Sequence, residues 1–537
     1  MPAKWIIVTG GVVSGLGKGI STASIGKLLS RDFKVVPIKC DGYLNVDPGT
    51  MNPFEHGEVF VLDDGGEVDM DFGHYERFLG ISCKREWNLT TGNVYYSVIQ
   101  NERKGDFLGG TVQVIPHVTN EIKKRWKEIA RNEKADIVTI EIGGTIGDIE
   151  NSWFVEAARQ LKKDVGQENI LYVHLTYVPF VKSVGEQKTK PAQRDVETLR
   201  SLGIVPDIII GRSEQKLLKK AKQKLSLFCD VPEEAVISGK DVDNIYEIPM
   251  LFEEEGMLNI IGKSFGFEPK KDFKEWRELV EKMKNSRREI KIAICGKYTA
   301  LNDSYASLIE AIRHACANLE VKPVIEFIET TDFEEGKRKV EECLCDKDAV
   351  IVPIGFGERG AEGKIQVIEY VRCNKIPFLG LCFGLQLAVI EYARNCCGLK
   401  DANSTEINPH TKDPVVMILP EQKEVKELGG TMRLGLQKAE LLKGSIVQKL
   451  YNSATCEERH RHRYEVNPDY HKILEKNGLV ISGSSRNGKL AEFIELPEDV
   501  HPYFVATQAH PEYRSKLEAP SPLFYGLIKA AIERKKS

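Results

Sequence analysis

Nowhere in the 537 residues does an apolar run approach the roughly 20 residues that cross a bilayer as a helix, which excludes a helical membrane span. A basic excess is missing too. The 75 Lys and Arg residues face 79 Asp and Glu, a net charge of −4, whereas a nucleic-acid binder is expected to carry the opposite imbalance. Of 12 cysteines none forms Cys-x-x-Cys, and neither Cys343 with Cys345 nor the adjacent Cys396 and Cys397 has the spacing of a zinc site. No leader peptide and no internal repeat stand out.

What is present is alternation. Short apolar runs at 6–10, 35–38, 137–141, 170–175 and 208–210 are separated by helical stretches, the pattern of a parallel α/β sheet. A second series begins at Ile290-Lys291-Ile292-Ala293-Ile294 and runs to the C-terminus. Between them, beyond Glu268-Pro269-Lys270-Lys271, the residues Trp276, Leu279, Val280 and Met283 share one face of a helix. The sequence predicts two doubly wound parallel-sheet domains, over 1–267 and 290–537, joined by a linker helix over 268–289, because one core does not grow to hold a chain of this length. The basic run Arg459-His460-Arg461-His462-Arg463 is expected to be a mixed surface and ligand segment.

Gly380-Leu381-Cys382-Phe383-Gly384 describes a cysteine on a sharp turn. Ile376 to Leu381 reads as a short strand, Leu385 to Tyr392 as a helix, and the small residues at 380 and 384 let the turn close. A thiol there sits at a helix N-terminus, where the dipole favours thiolate. Downstream, the strand Phe504 to Gln508 runs into His510-Pro511-Glu512, a base and an orienting carboxylate that suit a thiol nucleophile. A structural cysteine and an unrelated histidine are the plainer reading of either residue alone, and the combination weighs against it. A catalytic thiol without a leader peptide makes the reducing cytoplasm the expected compartment.

Near the N-terminus, the strand Ile6 to Gly10 leads into Gly11-Val12-Val13-Ser14-Gly15-Leu16-Gly17-Lys18-Gly19 and a helix from Ile20 to Leu29. Strand, glycine loop and helix N-terminus form a phosphate cradle with Lys18 as its positive charge. The glycine spacing is one residue longer than in an ordinary P-loop, and Gly19 stands where a Mg²⁺-binding Ser or Thr belongs. Metal ligands must come from elsewhere, and Asp71 and the strand-end Glu141 are the candidates for Mg²⁺ held together with phosphates.

The cysteine elbow with its terminal His-Pro-Glu resembles the class I glutamine amidotransferases. That resemblance implies that Cys382 attacks the side-chain amide of glutamine, His510 shuttles the proton and Glu512 orients His510. It places oxyanion-hole donors at the N–H groups of Gly355, within Pro353-Ile354-Gly355-Phe356-Gly357, and Phe383, and glutamine contacts at Gln386, Glu406 and Arg463. The ammonia needs a consumer, which makes the N-terminal half an amidoligase. With Lys39, Asn45 to Met51, His56 to Val61, Gly185 to Pro191, Asp401 to Glu406 and Gly429 to Gly435, the chain is similar to the CTP synthase family over essentially its whole length.

This second resemblance implies that ATP phosphorylates O4 of UTP and ammonia displaces the phosphate, giving CTP. It assigns ATP to Ser14, Gly15, Leu16, Gly17, Lys18, Gly19 and Ile20, and to Lys39, Arg212, Lys240, Asp241 and Val242. UTP falls to Ser14, Lys188, Thr189, Lys190, Gln193 and Lys224, and CTP as feedback inhibitor also to Asp148, Ile149 and Glu150. GTP as activator falls to Arg359, Gly360, Glu362, Thr431 and Arg433, and an ammonia passage runs near His56 and Val59. A homotetramer, with filaments as a further assembly, is the implied state. Departures from the family pattern are Gly42 for proline, Ala192 for threonine, Ile354 for glycine and Ala509 for an aromatic, and the last two flank the glutaminase centre. Two other readings stay open: a partition-type ATPase with a deviant glycine loop, and a chain kept as a structural filament subunit. The amidotransferase half weighs against the first, and the intact Lys18, Asp71, Glu141, Cys382, His510 and Glu512 against the second.

Overall fold

The computed structural model describes residues 2–51, 57–269, 273–297, 302–355, 357–418 and 432–536. Contacts gather the chain into two units, Met1–Thr50 with Val68–Lys274, and Met51–Glu67 with Glu275–Ser537. The segment 51–67 thus belongs with the second unit although the sequence places it in the first half.

In the first unit the strands are β1 (Lys4–Gly10), β2 (Val35–Asp41), β3 (Asn88–Thr90), β4 (Ile137–Ile142), β5 (Ile170–Tyr177), β6 (Ile208–Ser213) and β7 (Val236–Lys240). They form one sheet in the order β7-β6-β5-β1-β4-β2-β3, parallel throughout. Helices cover both faces, so the strands are almost wholly buried, which is why they read as unbroken apolar runs. Helix α1 (Lys18–Leu29) lies against α2 (Asp71–Leu79) so closely that a Cβ at Gly26 would stand 2.9 Å from Leu79. Two further helices, α3 (Lys190–Ser201) and α4 (Lys219–Cys229), follow β5 and β6. Helix α5 (Lys274–Asn285), which belongs to the second unit from Glu275 on, buries Trp276 and Val280 and half-buries Leu279 and Met283, the four residues expected to share one face.

The second unit holds β8 (Glu289–Gly296), β9 (Lys322–Glu329), β10 (Ala349–Val352), β11 (Phe378–Leu381), β12 (Arg433–Leu441), β13 (Thr455–His462), β14 (Val480–Ser485), β15 (Ala491–Glu495) and β16 (Phe504–Thr507). Their order is β9-β8-β10-β11-β16-β15-β14-β12-β13. The first five are parallel, as the sequence predicts; β15, β14, β12 and β13 continue the sheet antiparallel. Helices α6 (Ala361–Cys373) and α7 (Phe383–Asn395) follow β10 and β11.

The basic run on β13 is not a surface segment. Arg459, His460 and His462 are buried, because Arg459 pairs with Asp63 at 2.6 Å, and His460 lies 3.7 Å from Glu492. Arg461 pairs with Glu67 at 2.8 Å. A buried guanidinium is tolerated only with such a partner, whereas burial lowers the pKa of His460 and His462 and keeps both imidazoles neutral.

Ile354 is not strained. Its φ lies outside the left-handed region, and its side chain packs against the core of Ile292, Ile294 and Leu308. Ile354→Gly is therefore expected to destabilise the second unit by roughly 1–3 kcal/mol, through lost apolar burial and added chain freedom. Urea unfolding checks this: an unchanged or raised midpoint would mean that the side chain is strained after all.

Candidate active sites

The N-terminal centre forms where the parallel strands end. β1 stops at Gly10 and the chain turns through the glycine loop, with Gly15 and Gly17 at φ 76° and 85°, a region that penalises a Cβ. Gly17 caps α1, whose first N–H groups and dipole offer a phosphate site. Lys18 is buried and donates to the Gly144 carbonyl at 2.8 Å; burial lowers its pKa, with Glu141 opposing. A Cβ at Gly19 would fall 1.8 Å from Oδ1 of Asp71. The residue that departs from the ordinary phosphate loop is the one that lets this carboxylate reach the helix start.

Lys39, buried on β2, donates to Asp71 and, at 3.0 Å, to Glu141, with Asp41 and Asp69 each 3.8 Å away. Burial works against its charge, yet these four carboxylates hold its pKa well above the ordinary value. Burial pushes Asp41 up to about 7 and Asp71 up to about 6, with Lys39 opposing both. Tyr75 donates to the second oxygen of Glu141. Four carboxylates around Lys39 and Lys18 leave negative charge in excess, and Asp71 and Glu141 converge on one cation, so their oxygens fit Mg²⁺. Among the described residues no three acidic, His or Cys side chains form a complete metal cage.

Most of the other residues expected at the nucleotides lie beyond the ends of the same strands, the usual place for ligands in open parallel sheets. Arg212 at the end of β6 pairs with Asp241 at 2.8 Å and reaches the Lys240 carbonyl, just beyond β7. Beyond β5, Lys188 pairs with Glu186 at 3.0 Å, Thr189 caps α3 and accepts from Gln193, and Lys190 is exposed. Lys224 lies farther off, exposed on α4. Beyond β4, Asp148 accepts from the Thr145 N–H at 3.0 Å and Ile149 is exposed. A Cβ at Gly42 would meet the Glu150 backbone at 2.8 Å, a close approach that accounts for glycine there.

In the second unit, Cys382 occupies the turn between β11 and α7 at φ 53° and ψ −99°, a strain of roughly 1–3 kcal/mol for a residue with a Cβ. A Cβ at Gly384 would lie 2.1 Å from the Val352 carbonyl, so the elbow closes only over glycine. The Cys382 N–H is pinned on the Thr507 carbonyl at 2.7 Å. His510 is fully buried, its N–H on the Arg459 carbonyl and its Nδ1 2.7 Å from Glu512 Oε1. Its Nε2 makes no fully formed hydrogen bond. Burial would lower the imidazole, but Glu512 and Cys382 raise it to about 10, which favours an imidazolium.

Gln508 donates to Cys382 Sγ at 3.5 Å and accepts from Gln386 at 3.3 Å. In the sequence Gln508 is marked only by its place at the end of the strand that leads to His510. Gln386 keeps a buried Oε1 without a partner, an acceptor ready for an amide N–H. Glu406 accepts from the Gly357 N–H at 2.8 Å; burial raises its pKa, with Lys297 and Arg463 opposing. Gly355 faces Phe383, whose ring is 3.3 Å from the place of a Cβ at 355. The buried Val59 accepts from the Tyr513 hydroxyl at 3.3 Å, and Ala509 is buried without positive φ.

Of the residues expected at the activator, Glu362 forms a forked pair with Arg394, and Arg433 bridges Glu465 and Glu492 at 2.9 and 2.8 Å. Gly360 caps α6 at φ 79° and Arg359 is exposed. Thr431, His56 and Phe356 lie outside the described residues.

Comparison with known proteins bears on both centres. The family described as CTP synthase N-terminus matches residues 4–267, and glutamine amidotransferase class-I matches residues 300–530. The CTP synthase of Pyrococcus abyssi is 55% identical over 535 residues, covering 99% of this chain and 98% of that one. That of Methanococcus aeolicus is 52% identical over 540 residues, covering 99% of each. A solved glutaminase domain of Trypanosoma brucei CTPS with bound acivicin is 35% identical, covering 45% of this chain and 94% of its own, at a TM-score of 0.41. With full-length likeness to these relatives and matches to the patterns of both halves, the chain belongs to the CTP synthase family.

Proposed function

We propose that the chain makes CTP by ATP-dependent amination of UTP, with ammonia released from glutamine by its C-terminal half, an assignment carried by full-length membership of the family. Residues 1–267 are the amidoligase, 268–289 the linker helix and 290–537 the amidotransferase. Cys382 Sγ attacks Cδ of glutamine, and the oxygen's developing charge turns to the N–H groups of Gly355 and Phe383. His510 passes a proton from Nε2 to the leaving nitrogen, which departs as ammonia and leaves a thioester. Water then attacks with His510 as base, and glutamate leaves. Glu512 holds the imidazole throughout by its 2.7 Å contact at Nδ1. Gln386, with its unpaired oxygen, meets the substrate amide, while Glu406 and Arg463 suit the ammonium and carboxylate of an amino acid.

In the N-terminal half the glycine loop, the start of α1 and Lys18 hold the ATP phosphates, with Lys39, Arg212 and Lys240 to Val242 completing the site. Lys188, Lys190, Gln193 and Lys224 meet the UTP triphosphate, a charge match for lysines. Asp71 and Glu141 hold Mg²⁺, which neutralises phosphate charge when bound. Phosphate moves to O4 of UTP, and ammonia displaces it at C4. CTP inhibits through the shared triphosphate site and Asp148, Ile149 and Glu150. GTP activates near Arg359 and Gly360, with Glu362, Thr431 and Arg433. The active form is a cytoplasmic homotetramer.

Cys382→Ala is expected to lower glutamine-dependent CTP formation by roughly a million-fold while ammonium-dependent formation persists. An assay of CTP from UTP and ATP with either nitrogen donor reads this, and joint loss in a folded protein would contradict it. In the same assay Asp71→Asn and Glu141→Gln should stop synthesis from both donors yet spare glutamine hydrolysis; full synthesis would remove both carboxylates from the metal site. The raised imidazole makes a pH prediction. His510 is protonated below about 10, so its own contribution to glutamine hydrolysis is present below that pH and lost as pH rises through it. Glu512→Gln withdraws the largest raising influence, and the alkaline limb of the pH profile should move to lower pH. A limb that stays in place would show that Glu512 does not act on the imidazole.

A further inference from the structure

Lys364, in the first turn of α6, is 1% exposed. Among the described residues its Nζ has one acceptor, the Pro353 carbonyl at 3.2 Å. The same Nζ lies 5.2 Å from the centre of the Phe383 ring and would be 2.8 Å from a Cβ at Gly355. Its amine therefore lies beside the two residues proposed above as oxyanion-hole donors. No carboxylate forms an ion pair with it among the described residues, although an unpaired buried ammonium is costly. An amine buried there without a carboxylate, beside a centre that develops negative charge, gains a counter-charge when that charge forms.

We infer that Lys364 is a positioning residue of the glutaminase centre, whose buried ammonium braces the Pro353–Gly355 main chain behind the oxyanion hole and favours the negative charge formed there. The inference rests on the reading of Cys382 as the glutamine nucleophile. It accounts for glycine at 355, since any side chain there would displace the ammonium. Burial lowers Lys364 to about 7 and Lys297 adds to this, while Cys295, Glu329 and Cys382 oppose it. These come from β8 with the residue beyond it, the end of β9, and the elbow. The free enzyme accordingly holds Lys364 poised near neutrality, and a thiolate at Cys382 or an oxyanion favours its protonated form.

The test is steady-state glutamine hydrolysis against pH for the full-length wild type, Lys364→Met and Lys364→Gln, with ammonium-dependent CTP synthesis as control. Met removes charge and hydrogen bond; Gln keeps a donor without the charge. Both variants should lose about 10- to 100-fold in kcat with little change in KM, by analogy with loss of an oxyanion-hole donor. In kcat/KM the wild type should fall through an inflection near pH 7 that both variants lack, and ammonium-dependent synthesis should be unchanged. A folded variant within twofold of wild type, or an equal loss at every pH with the inflection kept, would overturn the inference. If neither variant folds, the wild-type profile decides: without the inflection the inference falls. A wild type that hydrolyses no glutamine would instead remove the reading of Cys382.

Discussion

The ammonium of Lys39 is what allows Asp41, Asp69, Asp71 and Glu141 to be buried side by side at the ends of the first sheet. Without it the carboxylates would have to take up protons or solvent, and the oxygens that suit Mg²⁺ would lose their common focus. Everything else at that edge depends on the cluster keeping its place. Asp71 reaches the start of α1 only because position 19 has no side chain, and Lys18 is steered between the Gly144 carbonyl and the charge of Glu141. His510 fills the corresponding role in the second unit, a buried cation made stable by Glu512 on one side and Cys382 on the other.

Both centres also rest on backbone approaches that only glycine permits. At Gly19 the neighbour is a carboxylate, at Gly384 a carbonyl, and at Gly355 an ammonium. Cys382 is the exception, a residue with a side chain in a left-handed turn, and its strain is held by the packing of β11 and α7 and by the bond to Thr507. Such strain is affordable where the surroundings over-determine it.

The parallel strands were legible in the sequence because apolar runs such as Ile137–Ile142 have both faces buried, and the grouping of Cys382, His510 and Glu512 because each carries a local turn signal. The antiparallel strands were not. β12 and β13 read as polar, and β13 is buried through ion pairs with Asp63 and Glu67, nearly four hundred residues upstream, which no local pattern reveals. Ile354 stands where the family pattern has glycine, and only the structure shows that its backbone is ordinary and its side chain packs. Lys364 left no trace at all, since a lysine in the first turn of a helix reads as solvated until the fold closes over it.

The central claim is that nitrogen freed at Cys382 becomes the amino group of the product made at the other centre. Turnover of glutamine labelled with ¹⁵N at the amide, in the presence of UTP, ATP and excess unlabelled glutamate, tests it by mass spectrometry of the nucleotide. The account predicts one ¹⁵N in the base of each CTP formed and none when Cys382 is alkylated and unlabelled ammonium is the donor. CTP formed without the label while glutamine is being hydrolysed would contradict it.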